Sequence, residues 1–207
     1  MPFVDTDICN LALSHIGVAD EIASLTEDSP EAQALNRFYT MAIDDTLRAF
    51  PYPFARKVVS LALISENGDD DHPDTNYLYS YVYPSDCLMA RRIQSGIRTD
   101  YRSSRVSYDI MARDQGSIIL TDMEDAILDY TSTDGRNPAR WQADLGLAVS
   151  FKLAWYAAPR LTKGDPFKLR QQIYALWLQQ NRRAQASALN EVQPDQDPDS
   201  ELILSRY

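Results

Sequence analysis

Between two stretches of helical periodicity, the chain turns into short β-rich runs divided by turn residues over positions 54–130, and this interruption constrains the fold most. No helical segment long enough for a crossover separates the runs. Neighbouring strands are therefore expected to pair antiparallel. The predicted strands are 56–63, 77–83, 88–94, 106–111, 117–120 and 126–130, although the first could also extend as helix. Asn67-Gly68-Asp69-Asp70-Asp71-His72-Pro73-Asp74 reads as an exposed loop, and Asp114-Gln115-Gly116 as a hairpin turn.

Helical signals flank this region on both sides. Ile8, Leu11, Ala12 and Ile16 recur on one face, with Thr6 or Asp5 as the expected cap and Gly17 as the left-handed stop. Ser29-Pro30-Glu31 combines a cap, a proline at the first helical position and an acid in the first turn. That second helix is expected to bury Ala34, Leu35, Phe38, Met41, Ala42 and Leu47 before the prolines at 51 and 53 end it. Beyond the strands, one pattern runs through Trp141, Leu145, Ala148, Lys152 and Trp155. Another runs from Pro166 through Phe167, Ile173, Leu176, Trp177 and Ala184, with Pro159 and Gly164-Asp165-Pro166 separating the two.

The expected fold class is thus α+β: a four-helix bundle with an antiparallel β-rich module inserted between helix pairs, and a flexible C-terminal arm. The bundle takes residues 1–53 and 137–190, the inserted module 54–136 and the extension 191–207. In that extension, Gln193-Pro194-Asp195-Gln196-Asp197-Pro198-Asp199 reads as a polar linker leading to an apolar end. Leu202, Ile203, Leu204, Arg206 and Tyr207 are the expected partner-binding residues.

Composition narrows the function classes. A formal charge of −10 argues against gripping nucleic acid through phosphates, because that affinity comes from lysine and arginine displacing counterions. An acidic wall would instead let a duplex slide past. No apolar run reaches the length of a membrane span, and the first residues lack a basic segment followed by an apolar one. Cys9 and Cys87 form no CxxC pair, and with only His15 and His72 to help them, no metal site is expected. That cysteine usage fits synthesis in a reducing cytoplasm.

No catalytic or cofactor-binding residues are expected. Ser85, Asp86 and Cys87 with His72 supply nucleophilic residue types, but three neighbours in one turn cannot all converge on one histidine. A turn fits them better, with Ser85 or Asp86 bonding back to nearby backbone. Asp44, Asp45, Asp122, Glu124 and Asp125 read as solvated surface acids, and the 69–74 aspartates lack calcium-loop spacing. No glycine-rich phosphate loop precedes a helix. Basic residues cluster at Arg91-Arg92 and at Arg98, Arg102 and Arg105, with Tyr101 and Tyr108 among them. Strand alternation would spread these over both faces, which favours salt bridges to an acidic neighbouring subunit over a DNA-reading stripe.

Several stretches together carry a family resemblance: Ile8-Cys9-Asn10-Leu11-Ala12-Leu13 with Ile16-Gly17, Ser29-Pro30-Glu31-Ala32, Tyr39, and Leu47-Arg48-Ala49-Phe50-Pro51-Tyr52-Pro53-Phe54-Ala55. Tyr81-Val82-Tyr83-Pro84-Ser85-Asp86-Cys87-Leu88, Ile119-Leu120-Thr121-Asp122, Tyr130-Thr131 and Lys152-Leu153-Ala154 continue it. In order and spacing the chain resembles the tail tubular protein A family of short-tailed phages, departing mildly at Tyr52, where tryptophan is common. The resemblance implies a non-enzymatic head-to-tail adaptor in the virion neck, assembled in the host cytoplasm as a homo-oligomeric ring of about twelve copies. It implies a portal protein above, a tail nozzle below, and double-stranded DNA passing through without sequence-specific contact. The C-terminal residues would dock on the portal. Two other readings compete: a tail component degrading carbohydrate through paired carboxylates, and an α+β interaction module outside any virus.

Overall fold

The computed structural model describes residues 3–74, 76–96, 105–114, 116–162 and 164–191. Its elements run α1 (Asp5–Ile16), α2 (Pro30–Ala49), β1 (Arg56–Ser60), β2 (Leu63–Glu66), β3 (Tyr79–Val82), β4 (Cys87–Ile93), β5 (Tyr108–Arg113), β6 (Gly116–Thr121), β7 (Ile127–Ser132), α3 (Ala143–Leu161) and α4 (Pro166–Asn190). The fold is mixed α+β, with four α-helices and two antiparallel sheets among the described residues.

Local chemistry sets several boundaries where the sequence marks them. The Ser29 hydroxyl accepts from the Ala32 N–H at 3.2 Å with Pro30 at the first helical position, and Gly17 ends α1 at φ 84°. At the start of α1 the cap is Val4 rather than Thr6 or Asp5. The Asp7 carboxylate reaches back to accept from the Val4 N–H, so the acid satisfies a backbone donor that the capping residue leaves to it.

Helix α3 lies against α1, α2 and α4. Its buried face carries Gly146, Ala148, Ala154, Ala157 and Ala158 beside Leu145, Val149 and Leu153. Small side chains on that face leave room for three neighbouring helices to pack against one. The helix starts at Ala143, which leaves Trp141 in the preceding turn, and continues through Pro159 to Leu161. A proline near the end interferes with few hydrogen bonds, so it does not mark the boundary. Three residues expected inside lie outside: Met41 on α2 and Phe167 and Leu176 on α4 are exposed, while Tyr39 and Ile43 take the buried positions on α2.

The middle of the chain forms two sheets, with strand orders β1-β7-β4 and β2-β3-β6-β5. The expected first strand, 56–63, is split. The Leu61 N–H bonds Ala126 O and the Val82 N–H bonds Ala62 O, so the chain leaves one sheet at Leu61 and joins the other at Leu63. Leu61, Tyr81, Ala90, Ile93, Ile119, Leu128 and Tyr130 fill the space between the sheets. The hairpin at 113–116 closes as expected, with Arg113 opposite Gly116.

Sheet and helices meet at a tight junction. A Cβ on Gly135 would lie 2.5 Å from Ala55 Cβ and 3.3 Å from Ala55 Cα. Neither atom is the free end of a flexible side chain. Gly135→Ala is expected to destabilise the protein by about 1–3 kcal/mol through overpacking, read from urea denaturation. A change within about 0.5 kcal/mol, the range of an ordinary surface substitution, would show that the junction is looser than this.

Candidate functional site

The most chemically distinctive surface is an arginine cleft of about 590 Å³ on the outer face of the three-stranded sheet, where that sheet meets the end of α2. Its origin is a bulge. In β4, Ala90 pairs with Tyr130 and Arg92 with Asp129, leaving Arg91 as an extra residue. Ala90 and Ile93 both point into the space between the sheets, and the two arginines between them lie on the opposite face. The bulge therefore cancels the alternation that would have sent Arg91 and Arg92 to different faces.

Three guanidinium groups on this surface are held in place. Asp129, with a side chain only 7% exposed, accepts from Arg56 Nε at 2.9 Å and from Arg92 Nε at 3.0 Å, and Arg56 adds a second contact at 2.8 Å. One carboxylate on the central strand thus binds an arginine from each flanking strand. Arg91 donates through Nε to the Thr131 hydroxyl and through a terminal nitrogen to the Leu47 and Arg48 carbonyls, acceptors of the last turn of α2. Burial pushes the Arg91 pKa down, but a guanidinium so basic stays charged. Arg105, also lining the cleft, is exposed and has no hydrogen-bond or ion-pair partner among the described residues. Tyr52 and Tyr108 complete the walls. Four guanidinium groups face one carboxylate on a chain whose formal charge is −10.

The turn at 83–86 serves a different purpose. The Cys87 N–H bonds Pro84 O, as a turn requires, but the Asp86 side chain leaves the turn instead of bonding back to it. Its carboxylate accepts from Lys57 Nζ at 2.6 Å, Tyr130 OH at 2.8 Å and Ser132 Oγ at 3.1 Å, which joins β1, β7 and the turn. Burial raises its pKa, yet the Lys57, Tyr130 and Ser132 donors outweigh burial and hold it below the ordinary 3.8. Cys87 donates to Tyr83 OH, and burial raises its thiol pKa. His72 bonds Ser65 and the Tyr77 carbonyl, away from the turn residues with which it could have formed a nucleophilic set.

Other candidates are also engaged within the fold. Asp44 and Asp45 are half-buried rather than solvated: Arg136 grips Asp44 with two 2.8 Å bonds, while Asp45 accepts from Tyr156 OH and pairs with Lys152 at 3.5 Å. Lys152 lies over the Trp155, Tyr156 and Trp177 rings, 4.2–5.3 Å from their centroids. Asp122 accepts from the Leu78 N–H, and Asp71 pairs with Arg113. Cys9 is buried among the helices, which pushes its thiol up to about 12, and His15 stacks on Phe151. No three His, Cys, Asp or Glu side chains among the described residues gather around a possible metal position. Leu202, Ile203, Leu204, Arg206 and Tyr207 lie outside the described residues, as do Arg98, Tyr101 and Arg102.

Asp129 and Arg56 were missed from sequence, since an aspartate in a strand and an arginine at a strand start carry no pattern of their own. A clue to the bulge did exist: Ala90 and Ile93 are apolar residues three apart in a strand, where an even spacing keeps one face.

Because the folded pKa of Asp86 is depressed, its stabilising effect is present above 3.8 and disappears as pH falls through the folded value. Asp86→Asn is expected to cost about 1–2 kcal/mol at pH 7, and the gap from wild type should close as urea melts are taken to lower pH. A gap independent of pH would exclude the charged form as the source. No helix among the described residues is long and apolar enough to cross a membrane. Neither a scan of the sequence against protein-family models nor a search of curated proteins finds a match.

Proposed function

We propose that the chain is a structural subunit of a short-tailed phage particle, forming an adaptor ring between portal and tail nozzle through which DNA leaves. The observation that carries this reading is the exposed aromatic stripe along α4. Phe167 is 74% exposed and Tyr174 41% exposed, about two helical turns apart on one face, with Trp155 of α3 beside them. Leu176 and Leu189 add further exposed apolar surface to α4. Aromatic and apolar surface of this kind is what protein interfaces use at their centres, and a neighbouring subunit would cover it.

In this reading the four helices act as a bundle whose outer face joins copy to copy, and the sheets contact neighbours and the nozzle. A head-to-tail contact repeated around an axis closes into a ring, for which the resemblance suggests about twelve copies. The acidic charge suits a channel that DNA traverses without being held. The resemblance to tail tubular protein A supplies the partner assignments, virion location and absence of catalysis. Asp44 and Asp45, the paired acids that a carbohydrate-degrading enzyme would draw on, are already tied to Arg136, Tyr156 and Lys152, so nothing observed favours that alternative.

Electron microscopy of the protein mixed with a cognate portal is expected to show closed rings on the portal face. Phe167→Glu combined with Tyr174→Glu should abolish the rings while leaving the circular dichroism spectrum unchanged. Deleting residues 194–207 should preserve the fold and weaken portal binding. Rings that survive the double substitution would remove the α4 face from the interface, and undiminished portal binding by the truncated chain would refute the docking arm.

A further inference from the structure

The arginine cleft gathers four arginines around one aspartate on an acidic chain, and Arg105 has no partner there among the described residues. Arginine pairs with carboxylate and phosphate alike, through two parallel hydrogen bonds. A segment presenting several carboxylates in an extended row would therefore complement the cleft.

Such a row lies in the chain itself. Asp195, Asp197, Asp199 and Glu201 alternate with other residues, so in extended backbone all four fall on one side, about 6.6 Å apart. Pro194 and Pro198 favour that form, because each disfavours helical geometry in the residue before it.

The end of α4 leaves this segment within reach. Tyr52, which lines the cleft, bonds Asn181 of α4 at 3.4 Å. From Asn181 to Glu191 a helix rises about 15 Å. Glu191 is held by Gln142, next to Trp141, whose indole bonds the Gly135 carbonyl at the junction leading to Arg56. Beyond Glu191, Asp195 can lie about 13 Å away and Glu201 about 33 Å away along extended chain. The acidic row therefore brackets the distance back to the cleft.

We infer that residues 195–201 dock in the arginine cleft of their own chain, with their carboxylates on Arg105 and the neighbouring guanidinium groups. The inference goes beyond the adaptor reading and does not depend on it.

The test uses the full-length protein with the photocrosslinker p-benzoylphenylalanine in place of Ser200. Illumination in dilute solution should give a crosslink within one chain to a peptide carrying Arg105 or Tyr108. Its yield should be independent of protein concentration and fall at least about five-fold in 1 M salt, where charges are screened beyond about 3 Å. Arg105→Glu should cause a similar fall without unfolding the protein, since that side chain is exposed and has no partner to lose. Crosslinks only at dimer mass would overturn the inference in favour of a second copy. Crosslinks elsewhere on the chain, or a yield that ignores both salt and Arg105→Glu, would overturn it outright. Binding of a short DNA duplex that depends on Arg105 and leaves the crosslink yield unchanged would likewise contradict it, since one cleft cannot hold both.

Discussion

A single buried carboxylate organises the outer face of the three-stranded sheet. Asp129 on the central strand binds Arg56 from one neighbour and Arg92 from the other. A carboxylate so little exposed needs strong donors to offset its lost hydration, and the two guanidinium groups provide them while keeping their own outer edges in water. With Arg92 drawn to Asp129, the bulge turns Arg91 to the same face, where it reaches the terminal carbonyls of α2. The same set of contacts therefore joins three strands and fastens the sheet to the helices.

Seen from the helices, the attachment is equally specific. Gly135 approaches Ala55 too closely for any side chain, Arg136 reaches Asp44 on α2, and Trp141 bonds the Gly135 carbonyl. The short turns after β7 thus contact α2 and the segment leading into β1. Such a junction couples the sheets to the helices through defined side chains. The exposed aromatic stripe on α4 and the arginine cleft are then separate surfaces available to different contacts.

Features encoded in a few adjacent residues were legible in the sequence. Ser29-Pro30 and Gly17 each act through local backbone geometry and appear where expected, as does the pairing of Arg113 with Gly116 at the expected hairpin. The order of two helices, strands and two helices was likewise readable from periodicity. What escaped depends on distant partners. Arg91 and Arg92 share a face because β7 pairs with β4 through a bulge, and the strand at 56–63 divides because residues 62 and 82 meet in the second sheet. Asp44 and Asp45 looked solvated because Arg136 and Tyr156 lie about a hundred residues away along the chain. Exposure of Phe167 and Leu176 could not be read from an apolar pattern, which looks the same whether the covering surface lies within the chain or on a neighbour.

The outer face of the three-stranded sheet depends most directly on Asp129 acting on both arginines, and a double-mutant cycle on urea stability measures that. With Asp129→Asn, Arg92→Met and their combination compared with wild type, the structure predicts a coupling of about 0.5–3 kcal/mol, because each substitution removes an interaction the other has already broken. The corresponding cycle with Arg56→Met should give a coupling of the same sign. Additivity within about 0.5 kcal/mol in both cycles would contradict the arrangement, since residues that do not touch behave in that way.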